Sequence, residues 1–283
     1  MKYVFEGCCT SAADAVTAQH SGAVRIELCC RLDIGGVTPS ESLLRNTLLA
    51  LAEDSLSSSR SSLSFSSIPV SFPGTHVVSL VEDSVNCAKL NVLVRPRGGD
   101  FVYSEEEIQQ MLAGIDMCKR LVVSDSSGQE HRVNGVVIGA LLPDGSIDMA
   151  TMRRLVAAAR PLEVTFHRAF DECADVERGL EDVIALGCER LLTSGHAEDA
   201  YAGRFALARL VRQAAGRIII LAGCGVRPHN VDVIVSTILS TSLPSTLPTS
   251  ISSTALSSAS VPSSPDSSDL SAIEFHSSTL VGW

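Results

Sequence analysis

The chain has 283 residues, 45% of them hydrophobic, enough for one large core of the size that single α/β barrels reach. With 22 lysines and arginines against 32 aspartates and glutamates its formal charge is -10, a balance that repels phosphate backbones and anionic surfaces and excludes a nucleic-acid or membrane partner at this level. No apolar run approaches the roughly 20 residues of a bilayer-spanning helix, and nine cysteines, an odd count in a long chain that opens without an apolar leader, predict free thiols in a reducing, cytoplasmic setting.

Residues 3–9 read as a first strand, and Ser11 with Asp14 supplies the capping box of a helix that ends at Gly22. Residues 24–29 read as a second strand. Thr38, Pro39 and Glu41 start a second helix, whose apolar face is Leu44, Leu48 and Leu51. Residues 55–67 are serine-rich and no steady period returns before Asn91, so an insertion over about 55–90 is expected to lack packed structure. One extra strand within 68–80 is admitted by the pattern. The apolar run Val92, Leu93, Val94 then ends abruptly in Arg95, Pro96, Arg97 and two glycines, the kind of polar exit by which a buried parallel strand presents chemistry.

Ser104 and Glu107 cap the next helix, in which Ile108, Met111, Leu112, Ile115 and Cys118 follow one-face spacings of 3, 4, 7 and 10. Residues 135–140 form a strand, Pro143, Asp144 and Gly145 a turn, and Asp148 opens a helix carrying Met152, Leu155, Val156 and Ala159 that Pro161 stops. A strand over 163–166 exits into His167 and Arg168, and Asp175 caps a helix that ends at Gly187. The strand over 190–193 exits into Ser194, Gly195 and His196. A helix over about 199–215 and a strand over 218–222 follow, the latter running into Gly223, Cys224 and Gly225, with a shorter helix from near Pro228. Residues 236–271 are a second low-complexity tract of serine, threonine and proline, assigned no packed structure, and 272–275 form a last strand with His276 at its end.

Eight strands alternating with seven helices predict one α/β domain over 1–283, a (βα)8 TIM-type barrel whose closing helix is absent or replaced and which carries two Ser-rich low-complexity insertions. An open doubly wound sheet is the rival, because alternation does not show closure. In a barrel the active face is the rim at the carboxyl ends of the strands. The polar residues gathered there are Glu6, Glu27, Arg95, Arg97, His167, Arg168, Thr193, Ser194 and His276, which could equally pair among themselves.

Glu6-Gly7-Cys8 and Glu27-Leu28-Cys29 repeat one pattern on the first two strands, and a period of two puts each glutamate on the side of its cysteine. Barrel stagger makes the two thiols meet diagonally. Paired soft thiolates suit Cu(I), although buried cysteine is more often a small hydrophobe. Cys9 and Cys30 are expected to face the helices. Glu27 and His167 are the candidate proton carriers, and Arg95, Arg97, Arg168, Ser194 and His276 the candidate anion ligands. No lysine ends a strand, so a Schiff-base mechanism lacks its nucleophile.

The segments RIELC (25–29), GGVTPS (35–40), VRPRGGDF (94–101), IGALLPDGSID (138–148), VTFHRAFD (164–171), LLTSG (191–195) and EFHSS (274–278) resemble, in that order, the CutC copper homeostasis family. The resemblance implies a TIM-type barrel, a cytoplasmic location, a role in copper handling, and Cu(I) ligation by Cys8 and Cys29. The chain departs from the family where Cys224 replaces the middle of a glycine triplet and where Thr279 stands near a usual arginine. Two functions follow as expectations. One is copper homeostasis through Cu(I) bound by Cys8 and Cys29; the other is a metal-independent enzyme acting on a small phosphorylated or carboxylated metabolite. An inactive assembly scaffold, and a homo-oligomer, stay open.

Overall fold

The computed structural model describes residues 3–63, 87–242 and 273–278. Its strands are β1 (Phe5–Cys9), β2 (Arg25–Leu28), β3 (Lys89–Leu93), β4 (Val122–Ser124), β5 (Glu130–Arg132), β6 (Gly135–Ile138), β7 (Glu163–Phe166), β8 (Arg190–Thr193), β9 (Ile219–Ala222) and β10 (Ile273–Ser277). The helices are α1 (Ala12–His20), α2 (Glu41–Leu63), α3 (Glu105–Arg120), α4 (Met149–Ala159), α5 (Val176–Ala185), α6 (Arg204–Ala214) and α7 (Val231–Ser242).

Eight strands close into a parallel barrel in the order β1-β10-β9-β8-β7-β6-β3-β2. Closure rests on β1, which pairs with β2 on one side and with β10 on the other, Glu6 lying opposite both Arg25 and His276. An open sheet would leave β1 or β10 with an unpaired edge, so the doubly wound alternative is excluded.

Local chemistry places the helices. Ser104 accepts from Glu107 N while the Glu107 carboxylate accepts from Ser104 N, the reciprocal box that starts α3. Asp148 and Asp175 cap α4 and α5 with a single bond each, accepting from Thr151 N and Arg178 N. The outward faces of the strands, among them Ile26, Leu28, Leu90, Val92, Val136, Ile138, Val164 and Phe166, are buried against helical residues such as Leu44, Met111, Ile115, Met152 and Leu155. Each such side chain removed from water contributes about 2 kcal/mol.

The inward faces are different. Cys8, Cys29, Leu93 and Val137 form a small separate apolar cluster inside the barrel. Below it lies a chain of buried ions: Arg25 is held by Glu6 and Glu274, and Arg190 by Glu274 at 3.1 Å and by Glu163 at 2.6 Å. Lys89 reaches Glu163 at 3.3 Å, so the chain ends at the amino-terminal mouth of the barrel. Cys9 faces the helices, as the strand period requires, and all nine cysteines are free.

One expectation needs correction, and one element is new. The serine-rich tracts do not begin as unstructured segments: α2 continues to Leu63 and α7 covers 231–242, while β3 starts at Lys89. Serine hydroxyls here bond to carbonyls of the preceding turn, Ser55 to Leu51 and Ser57 to Glu53 at 3.0 and 2.8 Å, and Ser236 to Val233 at 3.0 Å. Such bonds occupy the polar group without leaving the helix. The remainder of both tracts, with the strand considered in 68–80, lies outside the described residues. The antiparallel β4–β5 hairpin was not foreseen. Its turn is built by Asp125, whose Oδ1 accepts from the backbone N–H of Ser127 and Gln129 while its Oδ2 meets His131 Nε2 at 2.9 Å. Among the described residues no helix is long and apolar enough to cross a membrane.

Candidate functional site

A cavity of about 730 Å³ opens at the carboxyl ends of the strands, and its lining divides into two sides. One side carries Cys8, Cys29, Glu27 and His276; the other carries Arg95, His167, Arg168, His196 and Arg227.

On the first side the register decides the geometry. Cys8 lies opposite Glu27 in the β1–β2 ladder, so Cys29 is two residues further on and the sulfurs approach diagonally, 3.8 Å apart. Both thiols are buried. The hydrogen bond to Cys29, then burial, then the neighbouring Glu27, push the Cys8 thiol well above its ordinary range. His276 Nδ1 lies 2.9 Å from Glu6 and 3.4 Å from Glu27. Burial disfavours its charged form, but the two carboxylates outweigh it and its pKa is raised. Glu6 is fully buried yet lowered to about 2, because Arg25 and His276 overcome the desolvation. Among the described residues Glu27 forms no ion pair with an arginine, and burial together with Glu6 raises it to about 7 against the pull of His276 and Arg25. One ligand atom each from Cys8, Glu27 and His276 lies within 4.8 Å of the others, a spacing that can hold a metal ion.

On the second side Arg95 is nearly buried, stacks at 4.6 Å over Phe101, and donates to the carbonyls of Gly35, Gly36 and Gly99 at 3.0, 3.2 and 2.5 Å. It thereby ties together the loops that follow β2 and β3. His167 ends β7 and is 4% exposed. Its Nδ1 accepts from Ala169 N at 3.2 Å, so the ring proton sits on Nε2. Burial, reinforced by the positive charge of Arg95, lowers its pKa to about 3. At neutral pH His167 is therefore a neutral donor through Nε2. Gly139 makes room for this ring, since a Cβ there would lie 2.5 Å from His167 Nδ1.

The other expected residues are distributed unevenly. Arg168 lines the cavity, held by Asp171 at 2.9 Å. Arg97 turns outward: Glu107 at 2.5 Å and Asp100 at 2.9 Å take its guanidinium, and it does not border the cavity among the described residues. Ser194 is fully buried with its hydroxyl bound to Asp171 and to the Ala197 carbonyl, which makes it a support of the rim. Asp171 was quoted in a motif but not singled out. It accepts from Thr193 Oγ1 and from the backbone N–H of Ser194 and His196, so one carboxylate orders the whole β8 exit. Arg227 was also missed; its only signal was a position two residues after the Gly-Cys-Gly turn. Cys224 in that turn has φ +70 and His196 has φ +57, so both adopt the left-handed conformation that side chains resist, and both border the cavity.

Comparison with known proteins agrees with this architecture. The sequence profile of the CutC family matches residues 3–53 and 68–244. A CutC family protein of Parabacteroides distasonis is 43% identical over 234 residues, covering 83% of this chain and 78% of its own. A second, from Xylella fastidiosa, is 44% identical over 221 residues, covering 78% and 66%. The crystal structure of CutC from Streptococcus agalactiae, described as a copper homeostasis protein, superposes with a TM-score of 0.65 at 24% identity over 84% of this chain and 95% of that one, a likeness of fold. By profile, by sequence identity over most of its length and by its closed barrel, this chain belongs to the CutC family.

Proposed function

We propose that this chain is a copper homeostasis protein that binds Cu(I) between Cys8 and Cys29. The observation that carries the reading is the 3.8 Å separation of two buried thiols facing one cavity. Metal–sulfur bonds of about 2.3 Å span this distance with a bent geometry, which leaves room for a third donor. Glu27 and His276 stand beside Cys8 to provide it. Thiolates select soft Cu(I) over hard divalent ions, and the surrounding Leu93 and Val137 keep the pair dry. The name of the Streptococcus agalactiae relative points the same way.

The diagonal register also argues against a redox pair. A strand separation of about 4.8 Å combined with a two-residue rise of about 6.6 Å puts the Cα atoms roughly 8 Å apart, beyond the reach of an unstrained disulfide. The pair suits an inserted ion better than a covalent bond.

The test is a Cu(I) competition titration against a chromogenic chelator under reducing conditions. One tightly held ion per chain is expected for the native protein and for Cys87→Ser, with that ion lost in Cys8→Ala and in Cys29→Ala. Unchanged stoichiometry and affinity in both of the latter variants would remove the site.

A further inference from the structure

A single copper ion at the thiols leaves most of a 730 Å³ cavity unaccounted for, and the opposite side has a consistent chemistry of its own. Among the described residues three arginines are buried: Arg25 and Arg190, which carboxylates neutralise inside the barrel, and Arg95, which has no carboxylate partner there. Its bonds go to neutral carbonyls of Gly35, Gly36 and Gly99, so its charge stays uncompensated in a buried position. Arg227 is similar. Its guanidinium bonds to the Val226 carbonyl at 2.7 Å and the Ser277 hydroxyl at 3.3 Å, and no carboxylate pairs with it among the described residues. Both of these charges border the cavity.

Two histidine rings accompany them. His167, 4% exposed, uses Nδ1 as an acceptor from Ala169 and leaves Nε2 buried without a partner among the described residues. His196 Nε2 is likewise buried and unpartnered at the same wall. A buried charge and a buried N–H each cost free energy unless something answers them. A group in the cavity that accepts hydrogen bonds and carries negative charge answers such donors.

We propose that the arginine side of the cavity is a binding site for a small organic oxyanion, a carboxylate or a phosphate monoester, held by Arg227 and Arg95 and oriented by the Nε2–H of His167. Arg227 supplies a forked donor to the oxyanion. Arg95, fixed by three carbonyls, contributes field more than contact. Asp171 keeps Arg168 partly neutralised at the rim, so Arg227 is the arginine whose removal matters most. The site involves neither thiol and stands or falls without copper.

Isothermal titration of the full, metal-free chain with inorganic phosphate and separately with malonate, at ionic strength fixed by potassium chloride, tests it. Saturable one-site binding of at least one of the two is expected, with phosphate alone or malonate alone identifying the kind of oxyanion preferred. Arg227→Ala should weaken that binding at least tenfold, Arg227→Lys should restore part of it, and Arg204→Ala, at the start of α6 and outside the cavity lining, should leave it unchanged. Absence of saturable heat with both probes, or equal affinity in folded Arg227→Ala, would overturn the proposal.

Discussion

Cys8 faces Glu27 across the β1–β2 ladder and touches Cys29 only on the diagonal, sulfur to sulfur at 3.8 Å. The pair is close enough to share an ion, yet its backbones are held apart by a register that the entire barrel enforces. Treatment of the metal-free protein with a mild thiol oxidant should therefore give no Cys8–Cys29 disulfide while the barrel is folded. Peptide mapping by mass spectrometry reads this directly, and a quantitative crosslink in the native state would contradict the geometry.

His167 should stay neutral, with its proton on Nε2, across the range in which an ordinary histidine titrates. Its pKa falls from 6.5 to about 3 on folding because burial and then Arg95 disfavour the imidazolium. The unfolded chain accordingly takes up a proton that the native chain refuses. The contribution of this residue to stability is complete above pH 6.5 and declines as pH falls from there towards 3. Nitrogen-15 shifts of the ring report the tautomer, and denaturation of His167→Phe should show a shallower acid limb than the native protein between those values.

The ion chain inside the barrel predicts an asymmetric cost. Removing Arg25 leaves Glu6 and Glu274 buried without their main counter-charge, so Arg25→Met should cost about 3–5 kcal/mol in urea denaturation. Arg132→Ala, which opens an exposed pair with Glu130 on the hairpin, should leave the midpoint within experimental scatter. Equal effects of the two substitutions would mean that the buried chain is not what holds the interior.

Cys224 stores strain. Its φ of +70 suits glycine, and the left-handed conformation costs another residue about 1–2 kcal/mol. Cys224→Gly should stabilise the protein by about 1 kcal/mol, net of the lost contact between its sulfur and the Glu198 carbonyl at 3.2 Å and of the extra freedom of the unfolded glycine. A rise in thermal midpoint is the readout; a fall would show that the sulfur contact outweighs the strain.

Much of the site was legible because strand exits can be read locally. The period of two placed Glu6 with Cys8 and Glu27 with Cys29, and the polar ends of β3, β7 and β10 marked Arg95, His167 and His276 as rim residues. The same reasoning treated Arg95 and Arg97 alike, since they are two residues apart. It failed for Arg97 because β3 ends at Leu93 and the loop beyond it turns, handing that side chain to Glu107 at 2.5 Å on α3. Asp171 and Arg227 escaped notice for a related cause: Asp171 sits in the short 3-10 helix Arg168–Glu172 and Arg227 in the loop after β9, where no strand period aims a side chain.

The sequence by itself determined the alternation of strands and helices, the caps that start α3, α4 and α5, and the face on which each strand residue lies, since all of these depend on neighbours a few positions away. Only the tertiary structure decided closure through β10, the pairing of Arg25 with Glu274 across 249 positions, and the ionisation of His167 and Glu27. Those depend on which charges and apolar groups arrive from distant segments, and on how far water is excluded when they meet.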